Sequence, residues 1–133
     1  MRSALLLLMG FTLFSCAGGI YKKEEARQVP PATYQQLIEE TENAYFLDIR
    51  TGLEYRKEHL PGFRHVNYLG LSFHKKVDSL DRDRPVFIYC QTAHRSPLVA
   101  RELIRKGFTH IIDLEGGYRN YRKWEQNQEK ASE

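Results

Sequence analysis

Apolar positions along this chain fall into short clusters of two kinds, which alternate from Val29 almost to the C-terminus. Clusters spaced at i, i+3 and i+4 predict helices, and short blocks that are apolar at every position predict strands covered on both faces. Pro30-Pro31 opens a helix predicted through about Thr41, with Tyr34, Leu37 and Ile38 along its inner side. Ala44 to Ile49 reads as a buried strand, and Leu53 to Glu58 as a short helix ahead of a Pro61-Gly62 turn. His65 to Tyr68 is predicted as a short strand, and Phe73 to Leu80 as a helix that turns Phe73, Val77 and Leu80 inward. The strongest strand signal is Pro85 to Tyr89, because Val86-Phe87-Ile88-Tyr89 has no polar break.

The next helix carries dense punctuation. Ser96 is predicted as its N-cap and Pro97 as its first helical residue, with Val99, Ala100, Leu103 and Ile104 facing a sheet. Arg105 and Lys106 suit the negative end of the dipole, and Gly107-Phe108 fits a Schellman stop. His110 to Leu114 is the last predicted strand, and a final helix after Gly116-Gly117 bears Tyr118, Tyr121 and Trp124 on one stripe. This alternation predicts an α/β fold with a mainly parallel central sheet flanked by helices on both faces. In such a fold ligands bind at the carboxyl ends of the strands.

The N-terminal pattern is different. Arg2 precedes an apolar run from Ala4 to Phe14, the layout of an export signal, and the run is too short for the roughly 20 apolar residues of a bilayer span. Leu13-Phe14-Ser15-Cys16 resembles a bacterial lipobox. That resemblance implies a signal peptide over 1–15, a lipid on Cys16 as the new N-terminus, and a periplasm-facing protein anchored in the cell envelope. The same pattern also fits a secreted protein cleaved near Ala17. Residues 16–28, with Gly18-Gly19 and the mixed charges Lys22-Lys23-Glu24-Glu25, read as a tether with a root-mean-square span of about 20 Å. One domain is expected over 29–126 and a polar tail over 127–133.

Composition narrows the function. A chain that is 41% hydrophobic and 28% charged can bury a core. The formal net charge of +3 loses Arg2 with the signal, which gives no general attraction to nucleic acid. His59, His65, His74, His94 and His110 show no metal-ligand spacing, and Gly116-Gly117 lacks the further glycines and lysine of a phosphate loop. No cofactor is implied, and the oligomeric state is open. If Cys16 is acylated, Cys90 is the one free thiol, in a compartment where unpaired thiols oxidise unless their chemistry is used.

Cys90 follows directly on the strongest strand, and Cys90-Gln91-Thr92-Ala93-His94-Arg95 leads into the best-punctuated helix. A loop there can gather several N–H groups at one point, with the helix N-terminus and Arg95 favouring an anionic sulfur nucleophile. The segment Cys90 to Ser96 resembles the active-site loop of rhodanese-like domains, Cys-x-x-Gly-x-Arg-Ser. Leu47-Asp48-Ile49-Arg50 with Glu54-Tyr55, then Glu58-His59-Leu60-Pro61-Gly62, and Leu114-Glu115-Gly116-Gly117 are similar to three further signatures of that family, in the same order.

The resemblance implies a sulfurtransferase. Cys90 would take a sulfane sulfur from a small anionic donor such as thiosulfate and pass it to a thiol or cyanide. The segment Gln91, Thr92, Ala93, His94, Arg95 and Ser96 would bind the substrate, Arg95 holding either the donor or the loop. Asp48 and Arg50 would support neighbouring strand ends, most simply as a structural ion pair. Ala93 stands where the family usually has glycine: if that position needs a positive φ the loop is strained by about 1 kcal/mol, and if it does not the methyl group merely narrows the mouth. Two other readings share this loop: a catalytically silent binding module, and a cysteine-dependent phosphatase. Phosphatase loops place five residues between cysteine and arginine, whereas four separate Cys90 from Arg95.

Overall fold

The computed structural model describes residues 25–133. The elements run β1 (Ala26–Val29), α1 (Pro31–Glu40), β2 (Tyr45–Asp48), α2 (Gly52–Lys57), β3 (Arg64–His65), α3 (Phe73–Asp78), β4 (Val86–Tyr89), α4 (Ser96–Arg105), β5 (Ile111–Leu114) and α5 (Gly117–Ala131). Five strands form one sheet in the order β1-β5-β4-β2-β3. Every pairing is parallel.

Two hydrophobic cores sandwich the sheet. On one face Leu47, Val86, Ile88 and Ile111 pack against Phe73 and Val77 of α3 and Val99 and Leu103 of α4. On the other, Phe87, Tyr89, Ile112 and Leu114 pack against Tyr34 of α1 and Tyr118 and Tyr121 of α5. All four residues of β4 are wholly buried, which explains their unbroken apolar run. At about 1.5–3 kcal/mol for each large side chain buried, this strand is a firm base for whatever follows it.

Chain direction then places the site. From β2 the chain moves outward to β3, whereas from β4 it moves the opposite way to β5. The crevice at the carboxyl ends of β2 and β4 is therefore the topological switch point of the sheet. Asp48 ends β2, and Cys90 is the residue after β4.

Four expectations need correction. Ala26–Val29, whose first three residues were assigned to the tether, is an edge strand paired with β5, because Ala26 and Val29 point into opposite cores while Arg27 and Gln28 are exposed. The predicted strand over His65 to Tyr68 is cut to Arg64–His65 at the other edge. The final helix continues to Ala131, so most of the expected tail at 127–133 is helical. Ser96 is the first residue of α4, Arg95 stands at the N-cap without a side-chain cap bond, and Pro97 is one position further in. The stop of α4 follows its Schellman reading: Phe108 N donates to Leu103 O at 3.0 Å, Gly107 N to Ile104 O at 2.9 Å, and Gly107 has φ +92°.

Candidate active site

Cys90 is 1% exposed, and its Sγ donates to the Ser96 hydroxyl at 3.6 Å. Ser96 is itself buried, with its side chain turned back on the sulfur instead of capping the helix. Between them the chain bends continuously from Gln91 to Arg95. Among the described residues, no protein acceptor takes a hydrogen bond from the six N–H groups of Gln91 to Ser96. Buried or half-buried backbone donors rarely go unpaired, so such a run is suited to receiving an anion. Ala93 has φ +60°, so of the two cases the sequence left open at this position the left-handed, strained one is present. Thr92 Oγ1 meets His94 Nδ1 at 2.9 Å, and His94 is exposed to solvent.

Arg95 forks onto Glu54 of α2, Nη1 to Oε2 at 3.0 Å and Nη2 to Oε1 at 2.7 Å. Of the two roles implied for it, the geometry matches the one that holds the loop. The pair ties the entry of α4 to α2 across the crevice. Glu54 is also the N3 residue of a capping box, in which Thr51 Oγ1 accepts from Glu54 N and Glu54 Oε2 accepts from Thr51 N at the start of α2. The hydrogen bond from Arg95, helped by those from Thr51, lowers the Glu54 carboxyl to about 2. Sequence reasoning placed Glu54 in a family motif without giving it this role. The Thr51-x-x-Glu54 spacing was the available signal for the capping box.

A second network lies beneath. Arg50 is 1% exposed and pairs with Asp48 through Nη2 and Oδ2 at 2.6 Å. Its Nη1 donates to Gln91 Oε1 at 2.9 Å, and its Nη2 also donates to Glu58 O at 2.7 Å. The Tyr118 ring lies 4.2 Å from the guanidinium carbon. Tyr89 donates its hydroxyl to Asp48 Oδ2 at 2.5 Å and accepts from Leu60 N at 3.1 Å. Burial works against the charge on Arg50, but the hydrogen bonds and charge of Asp48 outweigh it and raise the guanidinium pKa. Such a satisfied ion pair is costly to break on one side. Through Gln91 it also fixes the first residue of the cysteine loop. Arg50, Glu54, Lys57, Glu58, Gln91 and Tyr118 line an open hollow of about 300 Å³ beside this network.

The glycine pair completes the cradle. A Cβ on Gly117 would stand 2.5 Å from Cys90 O and 2.8 Å from both Gln91 C and Thr92 N. That close approach lets Tyr118 N donate to Cys90 O at 2.8 Å and Arg119 N to Gln91 O at 3.1 Å. The start of α5 thus clamps the loop from one side while Arg95–Glu54 holds it from the other. Cys16 lies outside the described residues.

An α/β domain with a buried cysteine at its switch point, cradled by a donor-rich loop ahead of a helix, defines a class, and sequence comparison defines the family. Residues 30–123 match the rhodanese-like domain, and the chain belongs to that family. It is 30% identical over 107 residues to the putative sulfur carrier protein YrkF of Bacillus subtilis, covering 78% of this chain and 57% of that protein. It is 30% identical over 98 residues to the thiosulfate sulfurtransferase GlpE of Pseudomonas fluorescens, covering 74% of this chain and 86% of that one. A solved rhodanese-related structure from Thermoplasma volcanium superposes with a TM-score of 0.63 at 22% identity, over 73% of this chain and 91% of its own. The fold expectation therefore holds, with the sheet wholly parallel.

Proposed function

We propose that this protein moves a sulfane sulfur from a small anionic donor such as thiosulfate to a thiol or cyanide acceptor through a persulfide on Cys90. The carrying observation is Cys90 at the end of the central strand, inside a loop with six N–H donors that lack protein acceptors among the described residues. The similarity to YrkF, a putative sulfur carrier protein, and to GlpE, a thiosulfate sulfurtransferase, supports the same reading.

The Cys90 thiolate attacks the outer sulfur of thiosulfate, a new S–S bond forms, and the old one breaks with its electron pair leaving on sulfite. The persulfide reaches about 2 Å beyond Sγ, toward the loop amides. An acceptor thiolate or cyanide then attacks that terminal sulfur, the S–S bond breaks, and its electrons return to Cys90. No redox partner or cofactor enters the balance. Loop amides at the head of α4 suit the persulfide anion because their dipoles need no reorganisation as charge arrives.

Intact mass of the purified full chain after incubation with thiosulfate tests this. One added sulfur is expected on the wild type, removed by cyanide or a thiol, and none on Cys90→Ser. A folded protein that stays unloaded with thiosulfate, polysulfide and mercaptopyruvate would leave the silent binding module as the reading.

The Leu13 to Cys16 motif supports a lipid on Cys16 that holds the domain at a bacterial envelope membrane, facing the periplasm. A fatty-acid probe should label the wild type and not Cys16→Ala. Equal labelling of both sinks this placement.

A further inference from the structure

The mechanism above leaves one buried ionisable group unused. Asp113 of β5 is 0% exposed, and its Oδ2 accepts from Gln28 Nε2 of β1 at 2.8 Å. Its Oδ1 has no hydrogen-bond partner among the described residues. A buried carboxylate oxygen without a donor is costly and calls for an explanation. The Ser96 hydroxyl lies near enough to this carboxyl to favour its charge, makes no hydrogen bond to Oδ1, and accepts from the Cys90 thiol, which leaves its own proton free to turn either way. Asp113, Ser96 and Cys90 therefore form a short polar line between β5, α4 and the end of β4.

The surroundings of Asp113 are otherwise neutral. Gln28 faces it from β1, Ile88 is its register partner on β4, and Ser96 meets it from α4. Tyr34 of α1 feels its charge from across the sheet, but donates to Ile88 O and stays neutral, since burial foremost holds its phenol well above the ordinary value. Among the described residues no cation forms an ion pair with Asp113.

Granting the sulfur-transfer reading of Cys90, we propose that Asp113 is a positioning residue that sets which way the Ser96 hydroxyl points, and so whether the sulfur anion on Cys90 receives a hydrogen bond from it. An ionised Asp113 is a strong acceptor and draws the Ser96 proton toward Oδ1. A protonated Asp113 donates to Ser96 Oγ instead, which frees the Ser96 proton for the thiolate or persulfide. Burial, against the hydrogen bond of Gln28 and the nearby Ser96 hydroxyl and Leu114 backbone, holds the carboxyl up at about 6. The line thus switches in mildly acidic solution. Below the switch the persulfide is stabilised and discharges more slowly to an acceptor, and above it discharge is faster.

Asp113→Asn mimics the protonated state, because its amide donates permanently and its charge is gone. The ultraviolet absorbance of the Cys90 thiolate, read in the full chain as the difference from Cys90→Ser, should appear about one pH unit lower in Asp113→Asn than in the wild type. That is the size expected of one hydrogen bond to a charged group. In a Ser96→Ala background the same substitution should give less than half that displacement. Should Asp113→Asn fail to fold, the carbon-13 shift of labelled Cys90 Cβ supplies the test, with a step near pH 6 expected in the wild type and lost in Ser96→Ala. No displacement, an equal displacement without Ser96, or a step that is absent from the wild type or survives Ser96→Ala overturns the proposal. None of these readings needs a sulfur donor, so failure of thiosulfate loading would strike the reaction and leave this coupling standing.

Discussion

Ala93 shows how a single residue can carry strain for the site. At φ +60° an L-residue crowds its own carbonyl, at a cost of roughly 1–2 kcal/mol that glycine does not incur. Glycine returns part of this through a freer unfolded chain, about 0.4–1 kcal/mol. Ala93→Gly should therefore raise stability by about 0.5–1 kcal/mol, read as a higher urea midpoint at unchanged slope. Loading of Cys90 should stay within about threefold of the wild type, since the loop already holds the conformation that glycine favours. The position was legible in the sequence because the family resemblance named it, while the sign of its φ, and so the strain, needed the structure. The partners of Arg95 and Asp113 were not, since neither Glu54, 41 residues away from Arg95, nor Gln28, 85 residues away from Asp113, is fixed by local pattern.

At the scale of elements, the sequence was most legible where one physical signal acted alone. Val86 to Tyr89 is apolar at each position because both faces are covered, and Gly107-Phe108 stops α4 because only glycine is comfortable at that φ. It was least legible at the edges. β1 has four residues, two of them polar, and becomes a strand only by pairing with β5, a tertiary cause that no local window contains. Ser96 satisfied every local rule for an N-cap yet turns to Cys90, where a functional contact overrides the cap. The Gly116-Gly117 turn was matched as a motif, while its purpose, the close approach of α5 to the loop, needed the packed structure. Gly117→Ala should cost about 2–4 kcal/mol, combining the strained φ of +67° with a Cβ driven into the backbone of Cys90 to Thr92. Because that backbone is the proposed sulfur cradle, the folded fraction should also load sulfur at least tenfold more slowly. Denaturant unfolding together with rate-resolved mass measurement checks both halves, and normal loading in a destabilised Gly117→Ala would show that the clamp serves stability alone.

For the whole molecule, two carboxyls of opposite character shape how stability depends on pH. Glu54 is lowered to about 2 in the folded state by Arg95, so the unfolded chain binds its proton more readily. Its contribution is complete above its ordinary value of 4.5 and is lost as pH falls toward 2. Asp113 is the reverse, raised from 3.8 to about 6 by burial, so the folded chain binds the proton more readily. Its contribution is complete below 3.8 and is lost as pH rises through about 6. Together these two groups favour the fold most between roughly pH 4 and 5 and set a falling limb from there to just above pH 6. The core carries a standing cost at neutral pH for keeping the buried Asp113 ionised. Asp113→Asn should remove the falling limb and leave the acid limb intact, gaining about 2–3 kcal/mol at pH 7.5 and little at pH 4. Glu54→Gln should do the opposite, flattening the acid limb between pH 4.5 and 2 while preserving the fall toward pH 6. Urea unfolding of the three proteins at half-unit pH intervals decides the matter, and a wild-type stability that rises steadily from pH 4 to 7 in step with Asp113→Asn would show that the buried carboxyl does not titrate in this range.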